Sequence, residues 1–358
     1  MRRILHIIGS LNRGGAEAFL MNLYRNWNRN EIQFDFALYD HEKDKNFYYE
    51  AKKLGAEIYY LPYKSKGIIR NLKAIKSLVE EKKYTVVWRH TDSYFGALDL
   101  LGAKMGGAKH LILHSHNTKT TKVKSILQPF LKPLINMILT DRFACGVEAG
   151  KWMYGNRKYE VINNGIDIEK YNYNELVRKE YREKFNVEDK IVLGHVGRFN
   201  KIKNQEFLLQ IVKKMIEKKD NVILILVGDG ELKNRVEHRA IEIGISEYVQ
   251  FLGVRDDIEC LMQMFDVFVM PSLFEGFPVV LVEAQTAALP CVVSTNISRE
   301  VKISDYFQFI DLTKTPAEWR ENIIEMAKKV RVNRSQQMRK AGYDIKNTAE
   351  LLQNKFSK

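Results

Sequence analysis

The chain is predicted to be an α/β protein built from two doubly wound, Rossmann-like domains that face each other across a cleft. Three observations lead there. Short, continuous apolar runs alternate with longer amphipathic stretches along nearly all of the 358 residues. Such runs are what strands look like when helices cover both faces of a parallel sheet. The alternation repeats on either side of VINNGID at 161–167, where Asn164-Gly165 is a turn signal. The chain also exceeds the roughly 250–300 residues at which a single core stops growing.

Taken in order, the strand candidates of the first half are ILHII, FDFALY, EIYYL, YTVVW, LILHS and RFACG, with KYEVI following. IVLGHVG, VILILVG, YVQFLG, VFVMPS, PCVVS and FQFIDL supply the second half. Helical stretches such as AEAFLMNLYRNW, KGIIRNLKAIKSLVEEKK, QEFLLQIVKKMIEKK and ELKNRVEHRAIEIG lie between them. The predicted domains are 1–165 and 166–340, with a polar helical segment over 341–358. The N-terminal MRRILHIIGS could be misread as a signal peptide, but its apolar part is short and no small-residue cleavage site follows. We read it as the first buried strand.

Composition narrows the class. Apolar residues make up 45% and charged residues 28%, as in ordinary soluble proteins. No apolar run reaches the ~18–20 residues of a spanning helix. Three scattered cysteines, Cys145, Cys260 and Cys291, form no metal spacing and fit a reducing compartment. A cytoplasmic location is therefore expected. The net charge of +13 favours an anionic partner. No RRM signature, zinc finger or basic region leading into heptads accompanies it, so nucleic acid is not the expected partner.

In such sheets ligands bind beyond the carboxyl ends of the strands. The first strand ends in GSLNRGGAE, where Gly14 and Gly15 let backbone N–H groups approach an anion at a helix N-terminus. A plain tight turn explains the pair equally well. Arg198 and Lys203 follow the tip of IVLGHVG and can neutralise a pyrophosphate. In VGDGE at 227–231, Asp229 is read as bridging its turn. In LFEGFPVVLVEAQTAALP, Glu275 precedes a loop shaped by Gly276 and Pro278, and Glu283 lies one to two turns into the helix that follows. Amides from Phe277 to Val280, Val279 among them, can bind a phosphate there. A carboxylate suits a diol, so one glutamate would hold sugar hydroxyls and the other ribose hydroxyls. His114 and His116 alternate at the end of LILHS and share one face. His116, nearer the tip, is the candidate for proton or hydrogen-bond exchange. A third metal ligand is not evident beside this pair, and no strict Asp-x-Asp occurs, so neither metal nor cofactor is expected.

Taken together, GGAE, VGR followed by Lys203 and Asn204, VGDGE, and Glu275 with Glu283 resemble the retaining GT-B glycosyltransferases of family 4. HSHNT, VINNGID and EGFPVVLVEAQ are similar to members that build bacterial capsules and exopolysaccharides. The resemblance spans nearly the whole chain. It implies a nucleotide-sugar donor, often a UDP-sugar, used without a required metal, and a glycan or lipid-linked acceptor. Arg198 and Lys203 would clamp the diphosphate, with Gly15 over diphosphate and sugar. Glu275 and the amides of Gly276, Phe277 and Val279 would hold sugar and phosphate. Glu283 would hold the ribose, Val254 would lie near the base, and His116 would match the acceptor-side histidine. The leaving phosphate would assist acceptor deprotonation on the face it departs from. The last helix would cross back to the first domain.

One departure stands out. Family members commonly carry glycine before the Leu-Pro where this chain has Ala288. Alanine tolerates the left-handed conformation poorly, so the helix is predicted to end without it, stopped by Pro290. Residues 119–142 combine lysines with an apolar face, which suits either an anionic membrane surface or a core helix pair. Pro129 and Pro133 argue against one continuous helix there. Peripheral contact with the inner face of the cell membrane follows from the first reading. Two other functions compete. A non-hydrolysing UDP-sugar 2-epimerase shares the architecture, and a basic polyanion-binding protein would share the charge. A dinucleotide oxidoreductase lacks its GxGxxG.

Overall fold

The computed structural model describes residues 2–12, 14–40, 46–116 and 122–357. Every predicted apolar run contains a strand. They are β1 (Arg2–Ile8), β2 (Ile32–Leu38), β3 (Ile58–Tyr60), β4 (Val86–Thr91), β5 (His110–Ser115), β6 (Asp141–Ala144) and β7 (Glu160–Val161). The second set is β8 (Ile191–Val196), β9 (Val222–Val227), β10 (Val249–Gly253), β11 (Val267–Met270), β12 (Cys291–Ser294) and β13 (Phe307–Ile310). All named pairings are parallel. The sheets run β3-β2-β1-β4-β5-β6-β7 and β10-β9-β8-β11-β12-β13. Each reverses direction beside its first strand, as doubly wound sheets do. The reversal lies between β1 and β4 in one and between β8 and β11 in the other.

The chain divides into two compact units, 1–166 with 342–358, and 167–341. In the first, Phe34, Phe36, Trp88 and Phe143 of the sheet pack with Phe19, Leu23 and Tyr24 of the helix Gly15–Arg25. The last helix, Ile345–Ser357, adds Ile345, Ala349 and Leu352 to that core. The link is made at Gly165, where a Cβ would stand 3.0 Å from the Ile345 Cα. Ile166 then pairs with Asp344 as a short parallel bridge. In the second unit, one core lies on each face of β8–β13, around Phe265 and Phe268 on one side and Trp319 and Phe199 on the other.

Two expectations are corrected here. A single helix, Lys122–Ile138, runs through both Pro129 and Pro133. Each proline removes one helix hydrogen bond. Tertiary contact holds the helix regardless, since Ile135 and Asn136 are buried and Asn136 Nδ2 donates to the Tyr94 hydroxyl at 2.7 Å. Residues 119–121 of the lysine-rich stretch lie outside the described residues. The second correction is Ala288. It does take the left-handed conformation, with φ at +51°. The Leu289 N–H reaches the Ala284 carbonyl at 2.9 Å, and the Ala288 N–H reaches that of Gln285 at 3.0 Å. This is the closure glycine normally supplies. Arg331 Nε also donates to the Ala287 carbonyl at 3.0 Å, so the end is held from outside the helix as well.

Candidate active site

In the second unit the loops that follow β8, β9, β10 and β11 are stapled through their backbones. The Gly197 N–H donates to the Val227 carbonyl at 2.9 Å, and the Phe199 N–H to Asp229 at 2.9 Å. The Gly228 N–H reaches Gly253 at 2.7 Å, and the Leu273 N–H reaches Ile202 at 2.8 Å. The glycines of VGDGE make this possible. Gly228 has φ +131° and leaves no room for a Cβ beside the Gly197 carbonyl. Asp229 thus acts through its carbonyl in joining two loops.

The stapling brings Lys203 to Glu275, Nζ to Oε1 at 2.7 Å, with both side chains largely buried. Lys203 lies along Gly197, where a Cβ would stand 3.3 Å from its Cε. Arg198 is not part of this pair. Its side chain is exposed and meets Glu231 at 3.2 Å. Gly276, Phe277 and Pro278 lead into the helix Val279–Thr286, whose N-terminus has no side-chain cap. Glu283 sits in the second turn of that helix. Its carboxyl is pushed up to about 7 by burial, against a hydrogen bond from Tyr171 and the nearby charge of Lys170. Lys170 is itself paired with Glu259 at 3.1 Å, so among the described residues Glu283 has no salt bridge of its own. Val254 follows β10 directly and is exposed.

The sequence reading passed over His195. It is fully buried, and its Nδ1–H donates to the Val269 carbonyl at 2.9 Å. The Nε2 lone pair is left unpartnered among the described residues, 3.3 Å from where a Gly197 Cβ would stand. Burial, with a smaller contribution from Lys203, lowers this imidazole to about 4. Tyr171 was also missed, because its partner Glu283 lies 112 positions away in the chain.

In the first unit, Gly14 precedes the helix Gly15–Arg25 as its N-cap, with extended backbone and no side-chain cap. Glu17 folds back over Gly14 and bonds Ser10, and its burial raises the carboxyl to about 6. His116 lies just past the tip of β5 and has company that the sequence reading did not find. His90 Nδ1 is 2.9 Å from His116 Nε2, and His6 Nδ1 is 3.1 Å from His90 Nε2. His114 is buried, with both ring nitrogens unpartnered among the described residues. Parallel register explains the meeting, because His90 is the Cα partner of His114 on neighbouring strands. Burial holds all four imidazoles well below their ordinary range, and His6 and His116 fall to about 3. They are neutral at physiological pH. The signal for His90 was present in VVWRHT, where it alternates with Trp88, but its strand neighbour is 24 residues away. His90 is the third candidate ligand beside His114 and His116 that was not evident from the sequence.

Residues 177–345, which include Lys203, Glu275 and Glu283, match the family described as glycosyl transferases group 1. The chain is 34% identical to EpsF of Bacillus subtilis (strain 168), over 99% of this chain and 96% of that one. The name of EpsF carries a provisional assignment as a glycosyltransferase. The chain belongs to the group 1 glycosyltransferases. This glycosyltransferase is also 30% identical to a UDP-Gal:alpha-D-GlcNAc-diphosphoundecaprenol alpha-1,3-galactosyltransferase of Escherichia coli, over 64% of this chain and 63% of that one. Among solved structures, Anabaena Alr3699/HepE in complex with UDP superposes with a TM-score of 0.80 over all of both chains, at 20% identity. Its architecture is accordingly GT-B, two Rossmann-like units with parallel sheets.

Proposed function

We propose that this glycosyltransferase moves a hexose-type sugar from a UDP-sugar to a glycan or lipid-linked oligosaccharide, with retention, in exopolysaccharide, capsule or cell-envelope polysaccharide synthesis. The observation that carries the donor reading is the Lys203–Glu275 pair beside an uncapped helix N-terminus. A cation and a carboxylate at 2.7 Å are matched to a diphosphate and the sugar attached to it. The phosphate takes Lys203 and the amides at Val279, and Glu275 turns to the sugar hydroxyls with the backbone of Gly276 and Phe277. Arg198 leaves Glu231 for the diphosphate. Glu283 accepts from both ribose hydroxyls, and the base lies toward Val254. His116 meets the acceptor. The leaving phosphate takes the acceptor proton on the face it departs from, so no metal is required for transfer. The UDP and lipid-diphosphate chemistry named for HepE and the Escherichia coli enzyme supports the reading of a UDP-sugar donor and a lipid-linked acceptor.

A lipid-linked acceptor requires access to a membrane. The helix Lys122–Ile138 carries Phe130, Leu134 and Met137 on one face at 78%, 46% and 84% exposure. With the net charge of +13, this stripe suits peripheral contact with anionic lipid. No helix among the described residues is long and apolar enough to cross a membrane.

Thermal unfolding against UDP, GDP, ADP and NAD, with and without EDTA, tests the donor. At a hundred times its Kd a ligand adds about 2.7 kcal/mol. We expect a UDP-selective rise that survives EDTA and is lost in Lys203→Ala, and reduced in Arg198→Ala. A rise with NAD alone, or with none of the four, would reject the donor assignment.

A further inference from the structure

We propose that His90, His114 and His116 form a binding site for a zinc-like transition-metal ion, one that restrains transfer rather than serving it. The placement comes from the sheet. His90 and His114 are register partners on β4 and β5, and His116 follows on the same face. One ring nitrogen from each lies within 4.8 Å of the others. In a tetrahedral site with Zn–N bonds near ~2.0–2.1 Å, ligand nitrogens stand roughly 3.3 Å apart. The His90 Nδ1–His116 Nε2 pair already stands at 2.9 Å, and the His114 and His116 rings, with centroids 4.0 Å apart, must separate for both to ligate.

Polar accounting points the same way. Both nitrogens of His114, and Nδ1 of His116, are buried with no hydrogen-bond partner among the described residues. Leaving such groups unpaired costs about 1–3 kcal/mol each. An ion at the centre would take up the His114 lone pair and replace the His90–His116 hydrogen bond. The second shell is also in place. When His90 binds through Nδ1, its proton sits on Nε2, which faces His6 Nδ1 at 3.1 Å. His6 is held in turn among Phe34, Phe36 and Trp88.

The donor set selects the metal. Three neutral imidazoles without carboxylate or thiolate suit zinc, cobalt, nickel or copper, and not magnesium or calcium. Three histidines leave a fourth position for a water or another ligand, and His116 is the one of the three that is partly exposed. The bound ion occupies the His116 nitrogen and withdraws that side chain from the acceptor. This consequence rests on the function proposed above, whereas the binding itself does not.

Metal-free protein titrated with cobalt chloride reads the site directly through visible d–d absorption, with zinc displacing the cobalt. The expected result is one cobalt per chain at micromolar concentration. His116→Gln and His114→Gln should each weaken it at least a hundredfold, and His6→Gln about tenfold. The exposed His238→Gln should leave it unchanged. His116→Gln is the variant least exposed to misfolding, and circular dichroism checks each of them. Absence of a stoichiometric cobalt band in the wild type, or a band indifferent to His116→Gln and His114→Gln, would overturn the proposal. Zinc is further expected to suppress sugar transfer at least tenfold, reversibly by EDTA. Transfer that persists with the site saturated would overturn the restraint. If no transfer is found under any condition, the cobalt readout still decides the site.

Discussion

Glu283 is the residue whose chemistry is most sharply set by its surroundings. Its folded carboxyl titrates near 7, above an ordinary value of 4.5, because burial disfavours the charge. The folded state therefore holds an extra proton between those values. Stability from this group is fully present below about pH 4.5 and is lost as pH rises through 7. Ribose hydroxyls donating to the carboxylate would reverse that penalty by stabilising the ionised form. Glu283→Gln should raise the melting temperature at pH 8 and change it little at pH 5. In the wild type, UDP should bind about tenfold tighter at pH 8 than at pH 5.5, beyond any change seen in Glu283→Gln. The variant thereby removes the contribution of phosphate titration. Equal pH dependence in the two proteins would place the ribose elsewhere.

At the scale of elements, the end of the helix Val279–Thr286 shows tertiary structure overriding local preference. Alanine in the left-handed region costs about 1–2 kcal/mol relative to glycine. Yet Ala288 is almost fully buried, Leu289 beside it enters the core, and Arg331 donates to the Ala287 carbonyl. These contacts exceed the local strain. Ala288→Gly should relieve part of it and stabilise the protein by about 0.5–1 kcal/mol in urea unfolding, after the greater unfolded-state freedom of glycine is deducted. A destabilised variant would mean that the buried methyl group outweighs the backbone strain. The helix Lys122–Ile138 makes the same point, since two prolines are accommodated where buried Ile135 and Asn136 anchor the turns around them.

On the scale of the whole molecule, the +13 charge and the exposed Phe130–Leu134–Met137 stripe act together. Each basic residue near an anionic surface contributes about 1 kcal/mol, screened by salt. The protein should therefore sediment with phosphatidylglycerol-rich vesicles at low salt and be released at high salt. Replacing Phe130 and Met137 by serine should reduce the bound fraction severalfold, since that face would no longer enter the lipid boundary. Sedimentation unaffected by those changes would assign the binding to charge alone, and none at low salt would remove the membrane from the account.

The inner strands were legible because parallel strands buried on both faces read as continuous apolar runs, and the partly or fully exposed edge strands β3 and β7 were legible from the apolar residues within EIYYL and KYEVI. The change of unit near Gly165 was legible because Asn-Gly breaks the pattern. Lys203, Glu275 and Glu283 could be singled out as candidates because each belongs to a short segment ending a strand or opening a helix, where local spacing and the family pattern both speak; the structure pairs the first two. The left-handed Ala288 was not, since no local term favours it. The histidine cluster was not, because His6, His90 and His114 lie tens of residues apart and meet only through strand order β1-β4-β5. Nor was the lack of a salt bridge for Glu283 among the described residues, with Lys170 already paired to Glu259. The sequence by itself determined the elements and the residue types offered at their ends, because those follow from short-range periodicity. Only the tertiary structure decided which buried polar groups share a space and which are left without partners, because that depends on strand order and register between distant segments.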